Sequence, residues 1–532
     1  MEENPYGFKK YLYLCGVNIN MNRKKCLAAV LGLMCAVMAS AQTEVRSEAQ
    51  VTAATGDHNP LWLNANKYGL SSLSLSNGYL RVGGFRPIET DSVRRWAVGY
   101  GADMAFTWNM NLPAVVQQAF VEGRWMRVHL TVGSKEQPVQ LKDQELSSGS
   151  QTLGINARPF PSIRLELPDY WSIPGLRDWV AIKGHVAFGL QTDDQWQKKF
   201  TAEKTRYTKH THVHTKAGYL RIGQTRRPLT LEVGLEMGCQ YGGRSFVPVE
   251  GGDMMEYKNS SGLKGMWHAL IPSGYEANEA EIIYKNADGN HLGSMVARVN
   301  LDYQSWGVSA YADHFFEDHS QLFFFANNGY GEGDDWDKKV DNRYFVYDIR
   351  DMMLGLELRL KQTPWLSKLV AEYLYTKYQS GPIYHDHTEN VPDQIAGRDD
   401  YYNHYMFTGW QHWGQVVGNP LYRSPQYNND GYIMVRNNRF EAVHLAIKGD
   451  PLSSLHYRLM YTWQKGFGTY LFPLPSPQKN VSMLAEVTFT PQKSKVLQGW
   501  AFKVAAGLDH GGLLGDNAGV QLTVARKLNV EE

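Results

Sequence analysis

The sequence predicts an all-β chain, a transmembrane antiparallel β-barrel with long extracellular loops. Three observations predict it. The stretch Trp96–Met110 alternates without a break, with Trp96, Val98, Tyr100, Ala102, Met104, Phe106, Trp108 and Met110 on one side and small or polar residues on the other. Strict alternation is the period of a strand, and the length suits a tilted bilayer crossing of about 9–11 residues better than a soluble strand of about 5–6. No internal run of about 20 apolar residues is present, which excludes a helical membrane protein but not a barrel, where only alternate residues meet lipid. Finally, the chain carries 31 Tyr, 15 Trp and 50 Gly, and aromatics recur near strand ends, as in the interfacial girdles of membrane barrels.

In chain order, Met21-Asn-Arg-Lys-Lys, the apolar Leu27–Met38 and Ala39-Ser40-Ala41 have the layout of a signal peptide over 21–41, with residues 1–20 as an upstream extension. The mature chain would be one domain, 42–532, exported and with Cys239 as its single cysteine, so no internal disulfide is expected. A formal charge of +1 with no basic stripe gives no reason to expect nucleic acid.

Glu44–Thr55 reads as a first strand, followed by a turn and a short helix ending near Gly69. Asn77–Gly84, Trp96–Met110 and Trp125–Val132 follow as strands, and Pro138–Gly149 as a polar turn. Prolines 159, 161 and 168 confine Gly154–Trp171 to a short segment. Val180–Leu190 and Leu229–Tyr241 alternate cleanly. The same rhythm marks Met295–Tyr303, Trp306–Ala312, Met352–Leu360, Leu369–Tyr375, Val443–Ile447, Leu455–Trp463, Met483–Phe489, Trp500–Leu508 and Val520–Val524. With weaker segments counted, about sixteen to eighteen strands result, within the range of single-chain barrels. Short connections such as Gln304-Ser305 suit periplasmic turns. Gly242–Leu292, Phe315–Tyr344 and Ser380–Gly431 suit extracellular loops, and loops of that length are usually functional.

No hydrolase, nucleotide or zinc motif appears, so no catalytic residue, metal or cofactor is assigned. His210, His212 and His214 would share one strand face, most simply as a polar lumen row. Asp313-His314, Asp509-His510 and His385-Asp386-His387 are weak candidates for a dyad or a metal. Cys239 sits on the apolar face of its strand, packed against lipid. The aromatic loop Tyr401–Gly414 is the strongest binding candidate: Tyr401, Tyr402, His404, Tyr405, Trp410, His412 and Trp413, joined by Trp336 in an acidic loop, could stack on and hydrogen-bond a sugar. The alternative is that these aromatics form a girdle or pack the loop on itself. Asn156, Arg158, Lys216, Glu232, Glu236 and Arg458 are expected as polar lumen residues. Inward charges such as Glu357, Arg359 and Lys503 require cross-strand partners or water.

Several stretches together resemble the capsule assembly Wzi family of outer-membrane proteins, especially its Bacteroidetes branch. They are Pro60–Leu70, Asn156–Pro161 with Pro168, His214-Thr-Lys216 with Tyr219, Gly234–Gly243, Gly409–Leu421 and His510–Gly519, in that order along the mature chain. The resemblance implies a barrel of about eighteen strands, short helices closing the periplasmic side, and a lectin role in retaining capsular or other surface polysaccharide without catalysis. A monomer surrounded by outer-membrane lipid and lipopolysaccharide is the expected setting. A passive porin, and then an outer-membrane hydrolase, are the competing readings.

Overall fold

The computed structural model describes residues 43–91, 94–249, 252–272, 288–317, 328–330, 338–341, 351–384 and 395–530. The signal-peptide stretch, His385–His387 and Trp336 lie outside them.

Eighteen strands form one antiparallel sheet that closes on itself. Numbering only the barrel strands, they are β1 (Thr43–Thr55), β2 (Ser76–Arg86), β3 (Trp96–Trp108), β4 (Ala114–Trp125), β5 (Val128–Ser134) and β6 (Ser162–Ser172). Then come β7 (Val180–Leu190), β8 (His212–Ile222), β9 (Leu229–Tyr241), β10 (Asn290–Asp302), β11 (Trp306–Glu317) and β12 (Met352–Leu360). The last six are β13 (Lys368–Tyr375), β14 (Phe440–Leu452), β15 (Leu455–Gly468), β16 (Pro473–Phe489), β17 (Trp500–Gly511) and β18 (Asn517–Val530). Each strand pairs with its sequence neighbour, and β1 pairs with β18 from Thr43↔Val530 to Thr55↔Ala518, which leaves no free edge.

The outward face is an apolar band. On β3, for example, Trp96, Val98, Phe106 and Trp108 are exposed, while Ala97, Asp103 and Ala105 on the other face are buried. One end of the barrel, the turn end, carries connections no longer than 490–499, and the other, the loop end, carries every long excursion.

Three differences from the sequence expectations have local causes. Trp125–Val132 is not one strand: Met126, with φ 54°, turns the chain between β4 and β5. β4 itself hides its alternation because a bulge opposite Asp103/Met104 places Gln117 and Gln118 in succession and shifts the phase. Third, the three α-helices, α1 (Leu61–Asn64), α2 (Asp194–Thr201) and α3 (Gly262–Leu270), all lie in loop-end connections, and among the described residues only the 3₁₀ turn Ile88–Asp91 lies at the turn end. The helices expected to close the periplasmic side are thus not found at the turn end among the described residues.

Candidate functional site: a lumen filled by three loops

Three connections fold back into the barrel instead of standing out from it: residues 56–75, 135–161 and 399–438. Among the described residues the largest buried apolar cluster lies where they meet. From the loops it takes residues such as Trp62, Leu146, Tyr402, Trp410, Val416 and Tyr422, and from inward wall positions Val213, Leu292, Phe315, Met353, Phe440 and Met460. The cluster thus runs from wall to wall.

Polar groups of the loops are satisfied by the wall, as burial demands. Lys142 Nζ meets Asp313 Oδ2 of β11 at 2.7 Å, and both side chains are essentially without solvent. Ser147 Oγ donates to Glu372 Oε1 of β13 at 2.6 Å, and Ser150 Oγ to Glu236 Oε2 of β9 at 3.1 Å. The Leu61 amide of α1 donates to Asp509 Oδ2 at 3.0 Å, and Trp62 Nε1 to Thr462 Oγ1 at 3.1 Å. Helix α1 reaches the wall because Gly507 has no side chain there: a Cβ would lie 2.7 Å from Leu63 Cγ. The stretch Pro138–Gly149, expected as a polar turn, is part of this plug.

The aromatic loop Tyr401–Gly414 is the heart of the plug, and its expected position as an exposed surface loop is corrected. Trp410 is 1 % exposed; its Nε1–H donates to Thr152 O at 2.9 Å, and a Cβ on Gly238 of β9 would press on its ring at 2.5 Å. Tyr402 packs on Tyr422 with ring centroids 4.1 Å apart, and its hydroxyl donates to Gln151 O and accepts from the Asn419 amide at 3.1 Å. Tyr401 is buried, with its hydroxyl donating to Asp351 Oδ2 at 3.1 Å. The Thr192 amide donates to His412 Nε2 at 3.1 Å, so the ring proton is on Nδ1, which donates to Arg158 O at 2.9 Å. Trp413, 9 % exposed, lies under the Arg158 guanidinium at 4.7 Å. His404 Nδ1 accepts from the amides of Met406 and Phe407 at 3.0 and 3.2 Å, and Tyr405 O accepts from Arg206 at 2.9 Å. Tyr401, Tyr402, Trp410, His412 and Trp413 are buried by this packing and hydrogen bonding, and His404 and Tyr405 are half-buried beside them.

Burial sets the protonation of the plug. It pushes His404 down to about 3, helped by Arg206, and pushes His412 down as well. Burial also lowers Arg158 to about 10 and Lys67 to about 7, although Glu486 opposes the latter shift.

Of the expected lumen set, Asn156 and Arg158 belong to the plug, where Asn156 Nδ2 donates to Val416 O at 2.9 Å. Glu232, Glu236 and Arg458 point into the lumen; Arg458 pairs with Glu486 at 2.9 Å, and Tyr219 donates to Glu236 at 2.8 Å. Glu357 is held by Arg298 at 3.1 Å and by Arg359 at 3.3 Å. Lys216 is a correction. It faces outward with His212 and His214, opposite the outward Met237, Cys239 and Tyr241 of β9. Their cover is α3, which lies down the outside of the wall: Met266 and Ala269 pack on Cys239 and Tyr241, and Lys216 Nζ donates to the carbonyls of Ala269 and Leu270. Polar side chains are tolerated on the apolar face because the helix covers them and its last carbonyls take the charge. His210, with φ 56°, precedes the strand and does not continue the row. Neither strand-end dyad forms. Asp313 and Asp509 face inward to Lys142 and Leu61, whereas His314 and His510 face outward.

Toward the turn end the lumen opens into a cavity of about 240 Å³ lined by Arg46, Glu48, Arg81, Asp103, Glu136 and Lys527 among others. Within the plug segment 399–438 itself, Tyr432 is 50 % exposed, with Arg436 5.9 Å from its ring and paired to Asp430. The sequence signal for this patch is Asn429-Asp-Gly-Tyr432, an aromatic beside turn residues, which the denser Tyr401–Trp413 run overshadows.

No family model and no curated protein matches the chain. Among solved structures it is similar to Wzi from Escherichia coli, described as an outer-membrane protein involved in group 1 capsule assembly and a carbohydrate-binding β-barrel. That likeness has 11% identity and a TM-score of 0.51, and covers 96% of this chain and 89% of that one. It is also similar to OccAB4 from Acinetobacter baumannii (9% identity, TM-score 0.44, 92% and 99% covered) and to the outer-membrane protein opdK from Pseudomonas aeruginosa (9%, 0.45, 92% and 99%). At these identities the likeness is one of fold: an outer-membrane barrel of eighteen strands.

Proposed function

We propose that this chain is an outer-membrane barrel that binds and holds a capsular or other surface polysaccharide at its loop end, without turnover. The observation that carries the reading is the filled lumen. A wall-to-wall apolar cluster, with its loops hydrogen-bonded to the strands, obstructs the lumen among the described residues and supports the loop end from below. Rigid support lowers the ordering cost of binding a flexible polymer. At the loop end Tyr432 offers a ring face, and Arg436, Asp430 and Asn429 offer hydrogen bonds to hydroxyl or carboxylate groups. Individually weak contacts repeated along a polymer then hold it by avidity. The carbohydrate binding stated for the Wzi barrel supports the same reading.

The charged turn-end cavity favours a second reading, a gated solute channel whose plug moves aside. The two separate in one experiment. Surface polysaccharide extracted from cells that express the chain is cast in a native gel, and migration of the wild type is compared with Tyr432→Ala/Arg436→Ala. Retardation of the wild type alone supports retention at the loop end. Equal migration of both, with no slowing, removes the polysaccharide reading.

A further inference from the structure

The outward wall from β13 to β18 carries a second feature that the plug does not explain. At the loop-end rim, Lys465 of β15 and Lys479 of β16 are cross-strand partners on the outward face. Like charges directly opposite one another oppose pairing. Beside them, Lys377 Nζ lies 4.4 Å from the Phe467 ring and Lys465 Nζ 5.4 Å from the same ring, while Arg439 lies 3.7 Å over Tyr470. Among the described residues no carboxylate forms an ion pair with any of the four; Glu441 is opposite Lys465 in the register but outside ion-pair distance. Three of these cations, Lys377, Arg439 and Lys465, lie against aromatic faces, and among the described residues Glu441 is the one carboxylate set beside the four, so the rim keeps an excess of positive charge on the outward face.

On β15 and β16, about 13 Å lower at Tyr461 and Met483 and about 20 Å lower at Leu459 and Ala485 at the usual rise per residue, the wall is dented. A concavity of about 720 Å³ is lined almost wholly by apolar atoms, with Ala53, Ala485, Ala506 and Ala518 as its floor and Leu459 and Met483 at its edge. The register sets Leu459, Ala485, Ala506, Val520 and Ala53 in one outward row across β15, β16, β17, β18 and β1. Trp463, opposite Val481, lies between the dent and the cations, at the level where aromatic side chains mark the edge of the hydrocarbon.

We propose that this sector binds a phosphorylated, multiply acylated glycolipid of the outer leaflet, with phosphate held by the rim cations and one acyl chain lying in the concavity. Charge complementarity selects the occupant. An unpartnered cationic rim above an apolar trough matches a ligand that is anionic at the top and hydrocarbon below, and a protein partner would need carboxylates placed over a lipid-facing dent. Attraction of surface cations to anionic lipid is additive and screened by salt. The proposal rests on the outer-membrane location and not on polysaccharide retention, so either can fail alone.

The test uses the delipidated full-length barrel in detergent and native mass spectrometry, with three probes: bisphosphorylated lipid A, the same lipid with its phosphates removed, and phosphatidylglycerol. The barrel is expected to retain bisphosphorylated lipid A in preference to both others. Lys465→Gln/Lys479→Gln is expected to weaken that binding about tenfold or more, and Ala506→Leu, which fills the dent, to weaken it while the rim stays intact. Heat-dependent gel mobility verifies that each variant is folded. Equal binding of phosphatidylglycerol, or lipid A binding unchanged in the lysine variant or in Ala506→Leu, overturns the proposal.

Discussion

Lys142 of the plug and Asp313 of β11 are 2.7 Å apart, with almost none of either side chain reaching solvent. The pair ties the segment 135–161 to the wall, and Asp313 also accepts from the Gln151 amide at 3.1 Å. Burial works against the Lys142 charge, but Asp313, Glu236 and Glu372 outweigh it and raise the group. Lys142→Met leaves the carboxylate buried without a counter-charge, and breaking such a pair costs about 3–5 kcal/mol. Hydrogen exchange over residues 138–153 is expected to accelerate strongly in this variant and to be partly restored by adding Asp313→Asn. Unchanged exchange in the single variant would show that the pair does not anchor the plug.

Trp410→Ala removes the ring that fills the space over Gly238 and the hydrogen bond to Thr152. Large-to-small substitution of a buried aromatic costs about 3–5 kcal/mol. The expected consequence is a loosened plug, read as faster exchange in 399–420 and 148–156 together, since Thr152 and Tyr402 lie on opposite sides of the same contact. Loss of polysaccharide retention without any such loosening would contradict the structural role assigned to this ring.

Acid is expected to loosen the plug. His404 and His412 are held neutral, below the ordinary 6.5. A histidine lowered by folding contributes its full stability above the unfolded value and loses it as pH falls toward the folded one. Lys67 acts in the same direction, since its value of about 7 makes stability rise with pH from about 7 toward its ordinary 10.5. Protection over 399–420, taken as the ratio of the intrinsic base-catalysed rate at each pH to the observed rate, is therefore expected to be smaller at pH 5 than at pH 8. Greater protection in acid would contradict the burial of these groups.

Helix α3 presents Leu263 and Trp267, 85 % and 58 % exposed, away from the wall it covers. An apolar stripe with a Trp on the flank of a barrel is placed to sit in the lipid interface. In proteoliposomes Trp267 fluorescence, read as the difference between the wild type and Trp267→Phe, is expected to be quenched by brominated lipids, and Lys216→Met to reduce that quenching by freeing the helix end. Quenching by aqueous iodide and not by brominated lipid would place the helix off the wall.

Much of the barrel wall was legible because each strand side chain faces either apolar surroundings or the polar lumen, and that choice is written residue by residue. Val180–Leu190, Leu229–Tyr241 and Met352–Leu360 have in the structure the bounds that alternation gives them. The plug was not legible, because a segment such as 138–149, rich in Gln, Lys, Asp and Ser, has the composition of a solvated turn. Only contacts distant in sequence, such as Ser147 with Glu372, make it an interior element. The same limit explains the aromatic loop, where Tyr401–Trp413 has the composition of a sugar platform and of a core alike. Lys216 and His214 were assigned to the lumen on polarity, and the covering helix that reverses this lies about 50 residues further along the chain.

The central claim is that the lumen is closed by its own loops, and conductance of the purified wild type in planar bilayers tests it most directly. The expected record is silent at low voltage, with steady conductance gained when 399–438 is replaced by a short Gly-Ser linker. Stable open-channel steps from the wild type at low voltage would contradict a barrel filled by its loops.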